Sequence, residues 1–222
     1  MNTELVEVTL FSVTMAFLAT LIMLPPGVAL GWFLARRRFF GCAVIETVVS
    51  LPLVLPPVAT GLILLKLIGH RGPVGRIFDQ IGIDVIFTWK AVVLAMAVMG
   101  FPLLVRSARS GFEQVDNRLE QIAATLGASP IRVFFTVTLP LARRSVMAGS
   151  MLGFSRALGE FGATIMIAGA LPGTRTLSTA IYSYSQTGRD SVAVGLLVIS
   201  ASIAFVSIFV SNQLNSGHER AI

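Results

Sequence analysis

Few residues of this 222-residue chain could carry chemistry, and they gather in two places. The first is a charged pair, Arg156 and Glu160, inside an otherwise apolar stretch. The two stand four apart, so a helix puts both on one face, where they could pair. An ionisable group at the centre of a membrane helix costs about 2.5–3.5 kcal/mol on insertion scales. Two readings carry equal weight: a charged constellation lining or gating a path, or a structural ion pair facing a bundle interior. The second place is a polar island from Gly111 to Arg144, between two long apolar segments. It is where this chain can meet something soluble. Catalytic sets are missing. No lysine follows a glycine, so the chain supplies no G-x-x-x-x-G-K-[ST] phosphate loop. His70 and His218 lie far apart and lack ligand spacing, which argues against a metal site.

The island has internal order. Phe112, Val115, Leu119, Ile122 and Leu126 recur at steps of three and four, one apolar stripe on a helix. Glu113, Asp116, Glu120 and Gln121 fall off that stripe. Gly127 follows the last stripe residue, where a helix stop belongs. Ser129 and Pro130 read as an N-cap and first helical position. A second short helix follows, with Ile131, Phe134 and Phe135 on one face, until Pro140 interrupts it or starts the next element. The spacing predicts a helix–turn–helix, apolar on one side, lying along a membrane surface.

The elements around it are membrane helices. The chain is 55% hydrophobic and 13% charged, with mean hydropathy +0.82. A soluble domain carries more charge. The lone cysteine, Cys42, excludes an internal disulfide. Residues 1–9 carry Glu4 and Glu7 and no cation, unlike a secretory leader. A first span is expected from Leu10 to Ala35, kinked at Pro25-Pro26-Gly27 and closed by Arg36-Arg37-Arg38. Val44 to Ile68 holds Pro52, Pro56, Pro57 and Gly61, so it reads as a broken span or a short helix before a span; a kinked packing helix is the plainer alternative. A Gly-rich connector covers Gly69 to Asp84, and a third span Val85 to Val105. Ser145 to Ala170 is a fourth, and Val192 to Val210 a fifth, with Leu171 to Asp190 between them. In the fourth span, Gly149 and Gly153, then Ser155, Gly159 and Ala163, form small-residue rows that let backbones approach. Ten arginines fall on the side of Arg36 and the island, against six basic residues on the other. That bias puts the island and the C-terminus in the cytoplasm and the N-terminus outside. The net charge of +6 is this span-end pattern, so no nucleic acid is expected.

Gln121-Ile122-Ala123, then Gly127, then nine residues, then Val137-x-Leu139-Pro140 resembles the EAA-x3-G-x9-I-x-L-P loop of ABC importer permeases. Gln121 stands for the Glu and Ile122 for the first Ala, which puts in doubt any salt bridge that the Glu makes. The Leu158-Gly159-Glu160-Phe161-Gly162-Ala163-Thr164 signature resembles that of the molybdate, tungstate and sulfate permeases, while the Leu51–Pro57 run resembles the molybdate-type permeases and Gly169–Leu177 looks most like the molybdate branch. The resemblance implies an all-α polytopic membrane protein of about five transmembrane helices, with room for one short broken helix. Residues 1–222 form one permease domain with a cytoplasmic coupling loop at 111–144. Gln121, Ile122, Ala123, Gly127, Val137, Leu139 and Pro140 would meet the ATPase. Pro56, Pro57, Gly153, Arg156, Gly159, Glu160, Gly162 and Thr164 are the pathway or helix-packing candidates. The implied assembly is a homodimer in lipid at the bacterial inner membrane, with a cytoplasmic ATP-binding subunit and a periplasmic oxyanion-binding protein. The chain is not itself an enzyme; ATP and magnesium belong to the partner. Sulfate or tungstate would be alternative cargo, and an ATP-independent channel or carrier the alternative class. Ser178, Tyr182, Ser183, Tyr184 and Ser185 could offer hydrogen bonds to an oxyanion, or form a solvated or docking surface.

Overall fold

The structure, a computed structural model, describes residues 2–37 and 41–219, with side chains for 4–37 and 41–214. Arg38, Arg220 and the side chains of His218 and Glu219 lie outside that range. The described elements are helices: α1 Asn2–Arg36, α2 Cys42–Val54, α3 Pro57–Ile68, α4 Gly75–Gln80, α5 Trp89–Glu113 and α6 Asn117–Thr125. Next come α7 Pro130–Val133, a π-helical segment Phe134–Thr138, α8 Leu139–Leu158, α9 Gly162–Ile167, α10 Leu177–Gln186 and α11 Asp190–Glu219.

Among the described residues, three helices are long and apolar enough to cross a membrane: α1, α5 and α11. The pair α2 and α3 makes a fourth, bent by 115°. That break falls at Leu55-Pro56, where Pro56 and Pro57 withhold two backbone donors and restart the helix. The expected fourth span differs from expectation. Its helix begins at Leu139 and stops at Leu158, and α9 resumes at Gly162. Gly159 and Phe161 leave helical geometry, so Ser145 to Ala170 is two helices rather than one. The first span is also longer than expected: α1 starts at Asn2, and Pro25 and Pro26 fall inside it without ending it. The third starts at Trp89, capped by Thr88, rather than at Val85, and runs on to Glu113, carrying Arg106 and Arg109 beyond the apolar window. The connectors hold α4 and α10.

The core sits around α5. Met96, Met99, Leu104 and Phe112 of α5 are fully buried, with Leu158, Ile167, Leu177 and Leu196 from neighbouring helices. Small residues set the crossing of α5 and α8. A Cβ on Gly100 would stand 2.7 Å from the Gly153 carbonyl oxygen. Ser107 Oγ donates to the Ser145 carbonyl at 2.7 Å, and Ser211 Oγ of α11 donates to the Ala148 carbonyl at 3.0 Å. Such contacts replace a hydrophobic drive that lipid does not supply. Apolar side chains such as Leu10, Phe17, Val198, Phe205 and Phe209 stay exposed on α1 and α11.

Replacing Gly100 with alanine should lower the thermal unfolding midpoint in detergent, by an overpacking cost of about 1–3 kcal/mol. Gly195 has nothing within 4 Å of its would-be Cβ. Its alanine variant should therefore keep the parent's midpoint or raise it, by up to about 1 kcal/mol. Equal midpoints for the two would remove the crossing argument.

Candidate coupling surface and pathway

The island folds by local signals. Asp116 caps α6, its Oδ1 accepting from Arg118 N–H at 2.9 Å. At the other end Gly127 takes φ +87°. Its N–H donates to the Ala124 carbonyl at 3.0 Å, and Ala128 N–H donates to the Ala123 carbonyl at 3.1 Å. Those two bonds make a Schellman turn, which wants a glycine at that position. Ser129 then caps α7, with Pro130 at its first position. The helix continues through the π segment, where Leu139 N–H donates to the Phe134 carbonyl. Pro140, lacking an N–H, sits in the first turn of α8 and opens that helix.

One detail departs from the expected stripe. Phe112 belongs to α5, fully buried, its ring 6.1 Å from Phe134. Val115 is buried in the connector. The Asp116 cap restarts the helix there, so the stripe is split between two elements. What remains on α6 is a face of Leu119, Ile122 and Leu126, and no residue of α6 is buried. Ile131 and Phe135 extend the exposed apolar surface, while Phe134 turns inward against Trp32. Gln121 and Pro140 are exposed, and Ala123, Val137 and Leu139 half-buried.

Beside that surface is a polar knot invisible to periodicity. Arg36 Nη2, at the end of α1, donates to Glu120 Oε1 at 2.6 Å. The same oxygen accepts from Thr138 Oγ1 at 2.6 Å. Arg109 of α5 pairs with Glu46 of α2 and with Glu113 at 2.7 Å. Arg106 Nη2 donates to Ser50 Oγ at 2.9 Å. Of these, Glu46, Ser50, Arg106 and Arg109 line a cavity of about 450 Å³ between α2 and α5.

The pathway candidates converge in part. Arg156 Nη1 lies 2.7 Å from Glu160 Oε2, and Ala163 N–H donates to Glu160 Oε1 at 2.8 Å. The carboxylate therefore carries both the ion pair and the start of α9; it is buried, 1% exposed. The two helix breaks meet. A Cβ on Gly162 would stand 2.7 Å from Pro57 Cβ and 2.9 Å from Val58 N. A Cβ on Gly61 would stand 2.8 Å from Ala163 Cα. Pro56 and Pro57 are exposed, and Thr164 is buried. Gly159 is exposed at the break, while Gly153 lies a turn and a half away, at the α5 crossing.

At the opposite end of α1, Tyr184 Oη donates to Glu4 Oε1, and Arg175 and Arg189 lie 3.8 and 3.5 Å from the Glu4 carboxylate. The Arg189 guanidinium stands 4.7 Å from the Tyr184 ring centre. Burial, then the bond to Glu4, holds the Tyr184 phenol above its ordinary pKa, so it stays a donor. The hydroxyl-rich segment is thus helix α10, capped by Thr176 and Thr179; Tyr184 points inward and is buried, whereas Tyr182 is exposed. Its tyrosines are not a uniform solvated loop. His70, Asp79 and Asp84 also come together in the α3–α5 connector, their ligand atoms within 4.8 Å. All three are exposed, and a hydrogen bond of 2.9 Å between His70 Nδ1 and Asp79 Oδ1 accounts for the closest approach.

Residues 27–220 match the family described as binding-protein-dependent transport system inner membrane component. The chain is 47% identical over 211 residues to the molybdenum transport system permease protein ModB of Escherichia coli (strain K12), covering 94% of this chain and 92% of that one. It is 42% identical over 214 residues to ModB of Haemophilus influenzae, covering 95% and 93%. It is 41% identical over 207 residues to the putative molybdenum transport system permease protein YvgM of Bacillus subtilis, covering 91% and 90%. Among solved structures, it superposes on a chain of the MetNI methionine ABC transporter in an inward-facing conformation, with TM-score 0.67 and 15% identity, covering 95% of both. A bacterial alginate ABC transporter chain gives TM-score 0.70 at 17% identity, covering 94% of this chain and 77% of that one. The fold and the sequence agree: this chain belongs to the binding-protein-dependent transport system inner membrane components, as a multi-pass permease of an ABC importer.

Proposed function

We propose that this chain is the translocating subunit of an ATP-driven importer of a tetrahedral oxyanion, molybdate. Two copies form the pathway, two separate ATPase subunits bind ATP and magnesium, and a periplasmic protein delivers the anion. The N-terminus and α10 face outside; Arg36, α6 and α7 face the cytoplasm. The observation that carries the reading is the bare apolar face of Leu119, Ile122 and Leu126, continued by Ile131 and Phe135. Flanked by spans and held by a fixed turn, that face suits the groove of a soluble partner. Glu4 meets Arg175 and Arg189 at one end of α1, and Arg36 meets Glu120 at the other, which is consistent with that sidedness.

The transport step follows from rigid parts. Closure of the ATPases carries α6 with them. A short capped helix transmits a rigid-body shift into α1 and α8. The paired breaks at Leu55–Pro57 and Gly159–Gly162 are where the helices of the pathway would give. Relatives at 41–47% identity bear molybdenum transport names, which supports molybdate over sulfate as cargo.

Three measurements test this. Labelled molybdate uptake is followed in vesicles holding this chain, its ATPase and its binding protein. Uptake should require ATP and be blocked by tungstate, not by sulfate; block by sulfate would move the cargo, and indifference to ATP would overturn the importer. Gly127→Val should lower ATP-dependent uptake, since a side chain at φ +87° costs about 1–2 kcal/mol. Gly127→Asn should lose less than the valine variant, because Asn tolerates the left-handed region, its short polar side chain bonding locally. Normal uptake by the valine variant would contradict the role of the turn. Glu160→Gln should destabilise the chain by roughly 2–3 kcal/mol, leaving Arg156 without its carboxylate in the membrane. Unchanged unfolding and uptake would show the pair to be incidental.

A further inference from the structure

We infer that Glu120 is the residue by which the docked helix α6 grips the transmembrane body, making it a positioning residue for coupling. The inference rests on the importer reading above. Helix α6 has nine residues and none is buried, so core packing does not hold it. A carboxylate oxygen ties it to the body. Glu120 Oε1 accepts from Arg36 Nη2 and from Thr138 Oγ1, each at 2.6 Å. The same Arg36 nitrogen donates to the Val115 carbonyl at 3.4 Å. The last residue of α1, the connector after α5 and the residue before α8 therefore converge on one atom pair.

The surroundings strengthen the link. Arg36 is 14% exposed and Glu120 22%, so water screens the pair less than a surface one. Thr138 is 1% exposed and fixed in the π segment. At 100° per residue, Glu120 lies roughly 130° around α6 from the centre of the Leu119, Ile122 and Leu126 face. The surface that meets a partner and the side chain that holds the body are thus different sides of one helix. A push on the first is delivered through the second. Gln121, at the position where the family loop carries Glu, is exposed and has no charge for this task. The ion pair is formed by its neighbour.

The test uses the complete importer in vesicles, with Glu120→Ala and the charge swap Arg36→Glu with Glu120→Arg. Molybdate uptake and ATP hydrolysis are measured together. In Glu120→Ala, ATPase binding and hydrolysis should persist while uptake per ATP falls roughly tenfold or more, the worth of a charge-assisted hydrogen bond. The swap should restore a large part of that ratio. Hydrogen exchange on the chain alone gives a readout free of transport: residues 117–125 should exchange faster in Glu120→Ala, and residues 89–113 should not change. An unchanged uptake-to-ATP ratio would overturn the proposal, as would unchanged exchange of 117–125. Loss of ATPase binding in both variants would also overturn it, by placing Glu120 in the docking surface. ATP-independent uptake by the wild-type chain would instead sink the importer reading, and that failure is visible without any variant.

Discussion

A backbone inside hydrocarbon must satisfy its own hydrogen bonds, and this constraint governs the whole chain. An uninterrupted helix meets it alone, as α11 does, and α1 and α5 do so apart from the carbonyls that Pro25, Pro26 and Pro102 leave without a donor. The two interrupted ones do not, and the structure sets them against each other. Pro57 and Val58 open α3 where Gly162 and Ala163 open α9, close enough that a single Cβ on Gly162 would clash. Glu160 completes the arrangement by accepting from the Ala163 N–H while its other oxygen faces Arg156. Irregular backbone is thereby shielded by irregular backbone.

The same logic separates the two ends of the molecule. One end is locked by Glu4, Tyr184, Arg175 and Arg189, the other by Arg36, Glu120 and Thr138. Each lock joins α1 to a segment far along the chain, by 180 residues for Tyr184 and 84 for Glu120. Helix α1 is therefore the strut between the Glu4 cluster and the exposed apolar face of α6 and α7. Gly31 of α1 packs closely on Ala108 of α5, and Gly100 and Gly153 set the close crossing of α5 and α8.

Much of the fold and part of the site were legible in the sequence, for a physical reason. Gly127, Ser129 and Pro130 act within three residues of themselves, so their spacing alone announces turn, cap and helix start. The break at Pro56-Pro57 is equally local, because proline removes its own donor. The split of the Phe112–Leu126 stripe was not legible: periodicity runs across Gln114 to Asp116, and only the Asp116 cap shows where the helix restarts. The stop at Gly159 was hidden by apolar continuity through Leu158, Phe161 and Ile165. The grip of Arg36 on Glu120 depends on tertiary proximity, which no local pattern carries. Gln121 at the motif position even pointed away from it.

The bare face of α6 and α7 is proposed to seat in an ATPase. A photo-crosslinking residue placed at Leu126, at Ile131 or, as a lipid-facing control, at Phe205 tests it in the assembled importer. Leu126 and Ile131 should each capture the ATPase subunit, and Phe205 should not. An assembled, transporting complex in which Leu126 and Ile131 capture no more ATPase than Phe205 would contradict the account.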